Sequence, residues 1–167
     1  MHKMRIKHMI LLVCCLPVIA FSATTQNWQA VIAKDPVSKQ NTCLLISSTK
    51  HTEDGQTSTP VKLSYNGEIF IATTDSNIDL SYADVGLQVD DHSRHTIDRL
   101  FKNTNAIFET DAELIRDEFK RGLNAKLILG FWPTWPATRS YAIEFDLRGF
   151  TKAYNEFLQC EMSGDIP

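Results

Sequence analysis

The chain has 167 residues, enough for one ordinary domain, and carries a formal net charge of −3. An acidic chain has no surplus of cations to neutralise phosphates, so we expect neither a nucleic-acid partner nor an anionic membrane surface. The seven glycines are scattered singly, which excludes a glycine-rich phosphate loop and a dinucleotide-binding fingerprint.

Residues 1–22 have the order of a secretory signal peptide. A cationic start precedes an apolar run over residues 9–20, and Ala20 and Ser22 supply the small residues of a cleavage site. The run is too short to span a bilayer. Cleavage near Ser22 lowers Lys plus Arg from 17 to 14 and leaves Asp plus Glu at 20, so the mature chain has a net charge of about −6.

Cleavage leaves two of the four cysteines, Cys43 and Cys160. In an exported chain a single pair of cysteines predicts a disulfide, and closing so long a loop would stabilise the fold by about 4–5 kcal/mol. Two free thiols are the alternative, whereas a metal-bound pair is disfavoured because neither cysteine has a ligand-spaced neighbour. Lipidation at Cys14 or Cys15 is the alternative to a cleaved signal.

The first half of the mature chain predicts short strands separated by turns. The predicted strands are residues 27–33, 42–48, 61–65, 68–72 and 85–89. Polar residues 49–59 predict a loop, and residues 91–94 predict a turn. Asn66-Gly67, between two strand-like runs, predicts a hairpin with a type I′ turn.

The next stretch predicts a short strand over residues 106–109 and then a helix. Thr110 and Glu113 match a capping box, with Thr110 as the N-cap residue. Gly122 follows the last helical residue and predicts a left-handed C-terminal cap. The apolar stripe of the predicted helix consists of Ala112, Ile115 and Phe119.

Two alternating apolar runs, residues 125–131 and 141–145, predict a second hairpin. Its tip places Trp132 and Trp135 among prolines, which stop strand pairing there. Exposed Trp is large, rigid and amphipathic, so both rings are candidate partner contacts. The alternative is that both rings fold back over the end of the sheets.

The C-terminal region, residues 149–160, has the apolar spacing of an amphipathic helix that ends on Cys160. A disulfide to Cys43 would pin this helix to the second strand. The overall prediction is a mainly β protein, an antiparallel β-sandwich with two short helices, the C-terminal one packed on the sheet. Residues 23–167 are expected to form this single domain.

Several stretches of the mature chain carry a resemblance to a known family. They are Trp28, Cys43, residues 87–90, residues 113–129 and residues 141–160. In these positions the chain resembles the invasion-associated locus B family of exported bacterial proteins, and it is similar to accessory proteins encoded with type VI secretion systems. The resemblance implies a β-sandwich with a pinned C-terminal helix, periplasmic or secreted localisation, and a virulence-associated role at the envelope or host surface. It implies no catalytic residue.

The densest polar cluster runs from Asp90 to His95. Carboxylates and imidazoles bind metal ions, but His92 and His95 lie three apart in a predicted turn that fixes no common face. We therefore expect a solvated turn, with no metal and no cofactor. No nucleophile-elbow motif is present, and Glu144 and Asp146 fit the wet face of a sheet better than a catalytic pair.

These observations favour an exported, non-enzymatic protein that binds an unidentified protein partner through Trp132 and Trp135. No integral membrane segment is expected after signal cleavage. A periplasmic hydrolase or metal-dependent enzyme with a site near Asp90–His95 is the alternative, because a catalytic triad assembles from scattered residues. A structural or stress-response protein without a defined ligand also stays open.

Overall fold

The structure is a computed structural model that describes residues 26–132 and 139–163. The predicted signal peptide and Trp135 lie outside the described residues. The strands are β1 Trp28–Lys34, β2 Asn41–Ser47, β3 Lys50–Glu53, β4 Ser58–Tyr65, β5 Phe70–Thr74, β6 Ile78–Asp79, β7 Gly86–Val89, β8 Arg99–Phe101, β9 Asn105–Phe108, β10 Asn124–Phe131 and β11 Tyr141–Asp146. The helices are α1 Ala112–Arg121 and α2 Phe150–Ser163.

The first sheet has the strand order β1-β2-β4-β5-β9-β8, with β3 also paired to β4, and every pairing is antiparallel. Polar residues 49–59 were predicted to form a loop, but residues 50–53 form strand β3. Thr52 pairs with Thr59 of β4. The loop prediction is wrong at this point because β4 offers free backbone groups that a polar segment can pair with.

The predicted hairpin at Asn66-Gly67 is confirmed, but its turn is longer than a type I′ turn. Tyr65 pairs with Phe70, which leaves four residues in the loop. The Asn66 side-chain oxygen accepts the backbone N–H groups of Glu68 at 3.1 Å and Ile69 at 3.0 Å. These side-chain bonds close the turn in place of a second residue with positive φ.

The second sheet has the order β11-β10-β6, and β7 also pairs with β10. The register sets Leu127 of β10 opposite both Ile143 of β11 and Leu87 of β7. Because side chains alternate along a strand, the apolar residues of all three strands fall on one face. The buried set is Leu87, Val89, Ala125, Leu127, Leu129, Phe131, Ile143 and Phe145.

One hydrophobic core takes side chains from both sheets and both helices. The predicted antiparallel β-sandwich with two helices is therefore confirmed. Helix α2 packs on β1 and β2 through one apolar stripe. The buried residues of that stripe are Phe150, Ala153, Tyr154 and Phe157.

The predicted disulfide between Cys43 of β2 and Cys160 of α2 is present, with the two Cα atoms 6.0 Å apart. It closes a sequence separation of 117 residues and is compatible with an oxidising compartment. Helix α2 continues past Cys160 to Ser163, so the cysteine does not end it. Neither helix in the described part of the chain is long and apolar enough to cross a membrane.

Both cap predictions for helix α1 are wrong. The N-cap residue is Asp111, and the Thr110 hydroxyl instead donates to Asp98 at 2.6 Å. Gly122 has an extended backbone, with φ −79° and ψ 169°. A Cβ atom on Gly122 would lie 2.6 Å from a methyl group of Val89, so close approach to β7 requires glycine here.

Candidate functional site

Trp132 directly follows β10, where the second sheet ends. Its backbone N–H donates to the Asn77 carbonyl at 2.8 Å, which anchors the main chain beside β6. The side chain is 65 % exposed. The structure thus places this predicted contact residue at the surface, whereas Trp135 lies outside the described residues.

A groove of about 320 Å³ lies beside Trp132, where the two sheets meet at their edges. Strand β6 is the edge of the second sheet and β8 is the edge of the first. The Ile78 N–H donates to the Asn103 carbonyl at 2.7 Å, so the segment beginning at Asn77 is bonded to both sheets. These backbone bonds hold the groove walls in place.

The groove wall combines apolar side chains with polar ones, among them Asn77, Asp79 and Asn103. Leu80, which is 40 % exposed, and Leu100 contribute its aliphatic surface beside the Trp132 ring. Asp79 is the charged residue in the wall, and its carboxylate accepts the Ser81 N–H at 2.9 Å. A wall that places aliphatic and aromatic surface beside one fixed carboxylate suits an apolar side chain that has a cation next to it.

The sequence interpretation identified Trp132 but missed the residues that complete this groove. Leu80 and Leu100 occur in segments without a strong hydrophobic period, so no pattern placed them together. The signal that the sequence did contain is a large apolar residue, Leu80 or Leu100, directly after a charged one. Their common location depends on pairing of β6 with β10 and of β8 with β9.

The second region of interest contains His95, which lies on the connection between β7 and β8. Its ring is buried, with 4 % exposure, between two carboxylates of helix α1. Nδ1 lies 2.9 Å from Asp111 and Nε2 lies 2.8 Å from Glu118. The other Glu118 oxygen lies 3.0 Å from Nδ1 of His92, whose side chain is 52 % exposed. We refer to Asp111, His95, Glu118 and His92 as the histidine cluster.

The cluster changes the protonation of His95. Burial disfavours the imidazolium and lowers its pKa, but this effect is outweighed by the hydrogen bonds to Glu118 and Asp111 and by their charges. The resulting pKa of His95 lies above its ordinary value. A protonated ring donates from both nitrogens at once, which satisfies both carboxylates.

The predicted solvated turn is therefore only partly correct, since His95 is buried while His92 is exposed. Both ring nitrogens of His95 are occupied by carboxylates, so neither is free to take a proton from a substrate.

Within residues 26–132 and 139–163, no three His, Cys, Asp or Glu side chains are grouped to hold a metal ion. Glu144 and Asp146 lie on β11, and Asp146 forms an ion pair with Arg148.

Glu118 and Asp111 were missed in the sequence interpretation. Glu118 falls on the same buried stripe of α1 as Ile115 and Phe119. A carboxylate on the buried face of a helix requires a donor, because burying an unpaired charge is costly. The sequence therefore indicated that Glu118 needs a hydrogen-bond donor, and His92 and His95 were the candidate donors.

The chain was compared with protein-family models, with curated proteins and with solved structures, and none of these matches it. The resemblance to the invasion-associated locus B family stays a prediction. The groove and the chemistry of its wall remain as the structural basis for a function.

Proposed function

We propose that this protein is an exported, non-enzymatic binding protein that contacts another protein at the cell envelope or host surface through the Trp132 groove. The observation that carries the proposal is the exposure of Trp132 beside a formed groove. Large aromatic side chains dominate binding energies at protein interfaces. An exposed ring beside a groove that also contains Leu80 and Leu100 is suited to that role.

The groove also favours a particular class of partner segment. Its volume of about 320 Å³ accommodates one or two side chains rather than a folded element. Trp132 and Leu80 favour an apolar side chain, and Asp79 favours an adjacent Lys or Arg. A cation beside Trp132 would gain a further cation–π attraction. The partner is therefore proposed to insert an apolar residue that neighbours a basic one.

Export is supported by two features of different kinds. The Cys43–Cys160 disulfide is stable in an oxidising compartment, and residues 1–22 have the pattern of a signal peptide. The proposed localisation is the periplasm or the extracellular medium. The family resemblance in the sequence agrees with that localisation and with a role at the envelope or host surface.

The chain offers a matched control for a test of the groove. Leu123 precedes β10 and is 64 % exposed, while Trp132 follows the same strand and is 65 % exposed. The eight residues of β10 separate them by about 27 Å. Leu123→Ala therefore removes an equally exposed apolar side chain from the opposite end of the molecule.

The test is quantitative capture of partners from envelope and host-cell extracts with wild type, Trp132→Ala and Leu123→Ala. We expect wild type and Leu123→Ala to recover the same protein, with affinity reduced about 30-fold in Trp132→Ala. Asp79→Asn should weaken binding less and should reduce its dependence on salt. Equal affinity of wild type and Trp132→Ala would contradict the proposal. Trp135→Ala tests the remaining predicted contact separately.

A further inference from the structure

The connection between β7 and β8 is attached to the rest of the molecule at both ends and in its middle. At its start, the Asp90 carboxylate accepts the backbone N–H groups of Leu123 at 3.0 Å and Asn124 at 2.9 Å. At its end, the Asp98 carboxylate accepts the N–H groups of Glu109 and Thr110. Between these ends, the side chain of His95 contacts Asp111 and Glu118, and the side chain of His92 contacts Glu118.

His95 is also bonded through its backbone. Its N–H donates to the Leu87 carbonyl at 2.7 Å, and the Leu87 N–H donates to the His95 carbonyl at 3.0 Å. These bonds place the ring between β7 and α1. The charged groups that face the ring come from α1 and are Asp111 and Glu118, while β7 contacts His95 through backbone groups. His92, which lies on the connection itself, does not face the His95 ring but contacts the second oxygen of Glu118.

We propose that the histidine cluster is a pH-sensitive clamp, which holds the middle of the β7–β8 connection on helix α1 in mildly acidic medium and releases it as the pH rises. The proposal concerns a different part of the molecule from the Trp132 groove and does not depend on the proposed binding function.

The physical basis is the number of donors on the imidazole ring. Protonated His95 has two N–H groups and faces one carboxylate with each of them. A neutral ring has one N–H group and one lone pair, so one carboxylate must then face a lone pair. Because His95 and Glu118 are both buried, water does not compensate for a bond lost between them, whereas water partly screens the same repulsion at Asp111, whose side chain is 44 % exposed. Opening the connection relieves this repulsion.

The direction of the effect follows from the raised pKa of His95. His95 binds its proton more tightly in the closed state than in the open state, where its pKa is about 6.5 as in an ordinary histidine. This tighter proton binding stabilises the closed state, and the stabilisation is complete below about pH 6.5. The stabilisation decreases as the pH rises above this value and is lost once the pH passes the raised pKa. Since Asp90 and Asp98 hold the two ends, the change should be a local opening and not global unfolding.

The test is amide hydrogen exchange of the purified, disulfide-bonded protein from pH 5.5 to 9, corrected for the intrinsic exchange rate. Protection of the Leu87 and His95 amides should be constant below about pH 6. It should then fall by up to tenfold per pH unit above about pH 6.5 and level off above the raised pKa. Amides in the β4–β5 hairpin, such as Leu63 and Ala72, should keep their protection.

Two variants distinguish the clamp from a general effect of pH. His95→Gln should give low, pH-independent protection at Leu87, while His92→Gln should retain the pH response of wild type. An NMR titration of the wild-type imidazoles provides a measurement that needs no variant. A His95 pKa at or below about 6.5 overturns the proposal. Equal loss of protection at Leu87 and Leu63 also overturns it, because the opening would then not be local.

Discussion

The indole N–H of Trp28 donates a hydrogen bond to the main-chain carbonyl of Asp146 at 2.9 Å, which joins the start of β1 to the end of β11. The same ring packs edge-on against Phe119 of α1 and Phe150 of α2, with centroid distances of 5.6 Å and 5.1 Å. One buried side chain thus connects the two sheets and both helices.

This position gives the first prediction. Trp28→Phe removes the donor and part of the buried ring, so we expect a loss of about 2 kcal/mol in the free energy of unfolding. Trp28→Ala should cost about 4 kcal/mol because it also leaves a cavity. Trp132→Phe is the matched control at an exposed Trp and should change stability by less than about 0.5 kcal/mol. Urea denaturation measures all three, and equal effects at both Trp positions would contradict this assignment.

The second prediction concerns the Cys43–Cys160 disulfide. Removing it in a Cys43→Ala, Cys160→Ala double variant should lower the free energy of unfolding by about 4–5 kcal/mol, since the bridge closes 117 residues. Reduced wild type should lose stability to a similar extent. Chemical denaturation with and without reductant measures the difference. A loss below about 1 kcal/mol would show that packing of α2 alone holds the helix on the sheet.

The third prediction contrasts two glycines that are needed for different reasons. Gly122 has an ordinary negative φ but no room for a Cβ atom, whereas Gly149 has a φ of +92° and open space around it. We expect Gly122→Ala to cost about 2 kcal/mol through overpacking and Gly149→Ala to cost about 1 kcal/mol through backbone strain.

Asparagine substitutions separate the two causes. Asn tolerates positive φ better than Ala, so Gly149→Asn should be less destabilising than Gly149→Ala. Gly122→Asn should be more destabilising than Gly122→Ala because its side chain is larger. Thermal unfolding of the four variants gives the two rankings, and the same ranking at both positions would contradict the structural explanation.

The fourth prediction concerns stability in acid. Burial tends to raise the pKa of Asp54, but hydrogen bonds from the Ser76 hydroxyl and from the backbone of Thr57 and Gln56 lower it to about 2. A lowered pKa in the folded state means that the charged carboxylate stabilises the fold above about pH 4 and that this contribution is lost as the pH falls towards 2.

Asp54→Asn should therefore reduce stability at pH 6, and the difference from wild type should shrink between pH 4 and pH 2.5. Ser76→Ala removes the donor that lies 2.6 Å from the Asp54 carboxylate and should produce part of the same effect. Urea denaturation across this pH range provides the measurement. A difference that stays constant with pH would contradict the assigned role of the charge.

Local patterns were sufficient for much of the fold. Leu127 and Ile143 each belong to an alternating apolar run, and the structure pairs them across β10 and β11. Successive side chains of a strand point to opposite faces, so an alternating apolar pattern is visible in the sequence whichever strands pair. Asn66 likewise marked a hairpin correctly, although the loop length depended on the register of β4 with β5.

The candidate sites were less accessible to sequence reasoning. Trp132 was identified because an aromatic residue among prolines is a local signal, whereas Leu80 and Leu100 line the same groove only because β6 pairs with β10 and β8 pairs with β9. Thr110 was misassigned as a cap because Asp98, twelve residues earlier, competes for its hydroxyl. Such competition between distant groups leaves no local pattern.

The sequence by itself determined the strand periods, the two amphipathic helices and the one pair of cysteines left after the predicted leader. Each of these depends on neighbouring residues or on a count. Tertiary structure alone decided that Glu118 lies beside His95, that Gly122 lies against Val89 and that the Trp132 groove forms. Those contacts depend on which surfaces the sheets bring together, because a side chain's environment is set by residues far from it along the chain.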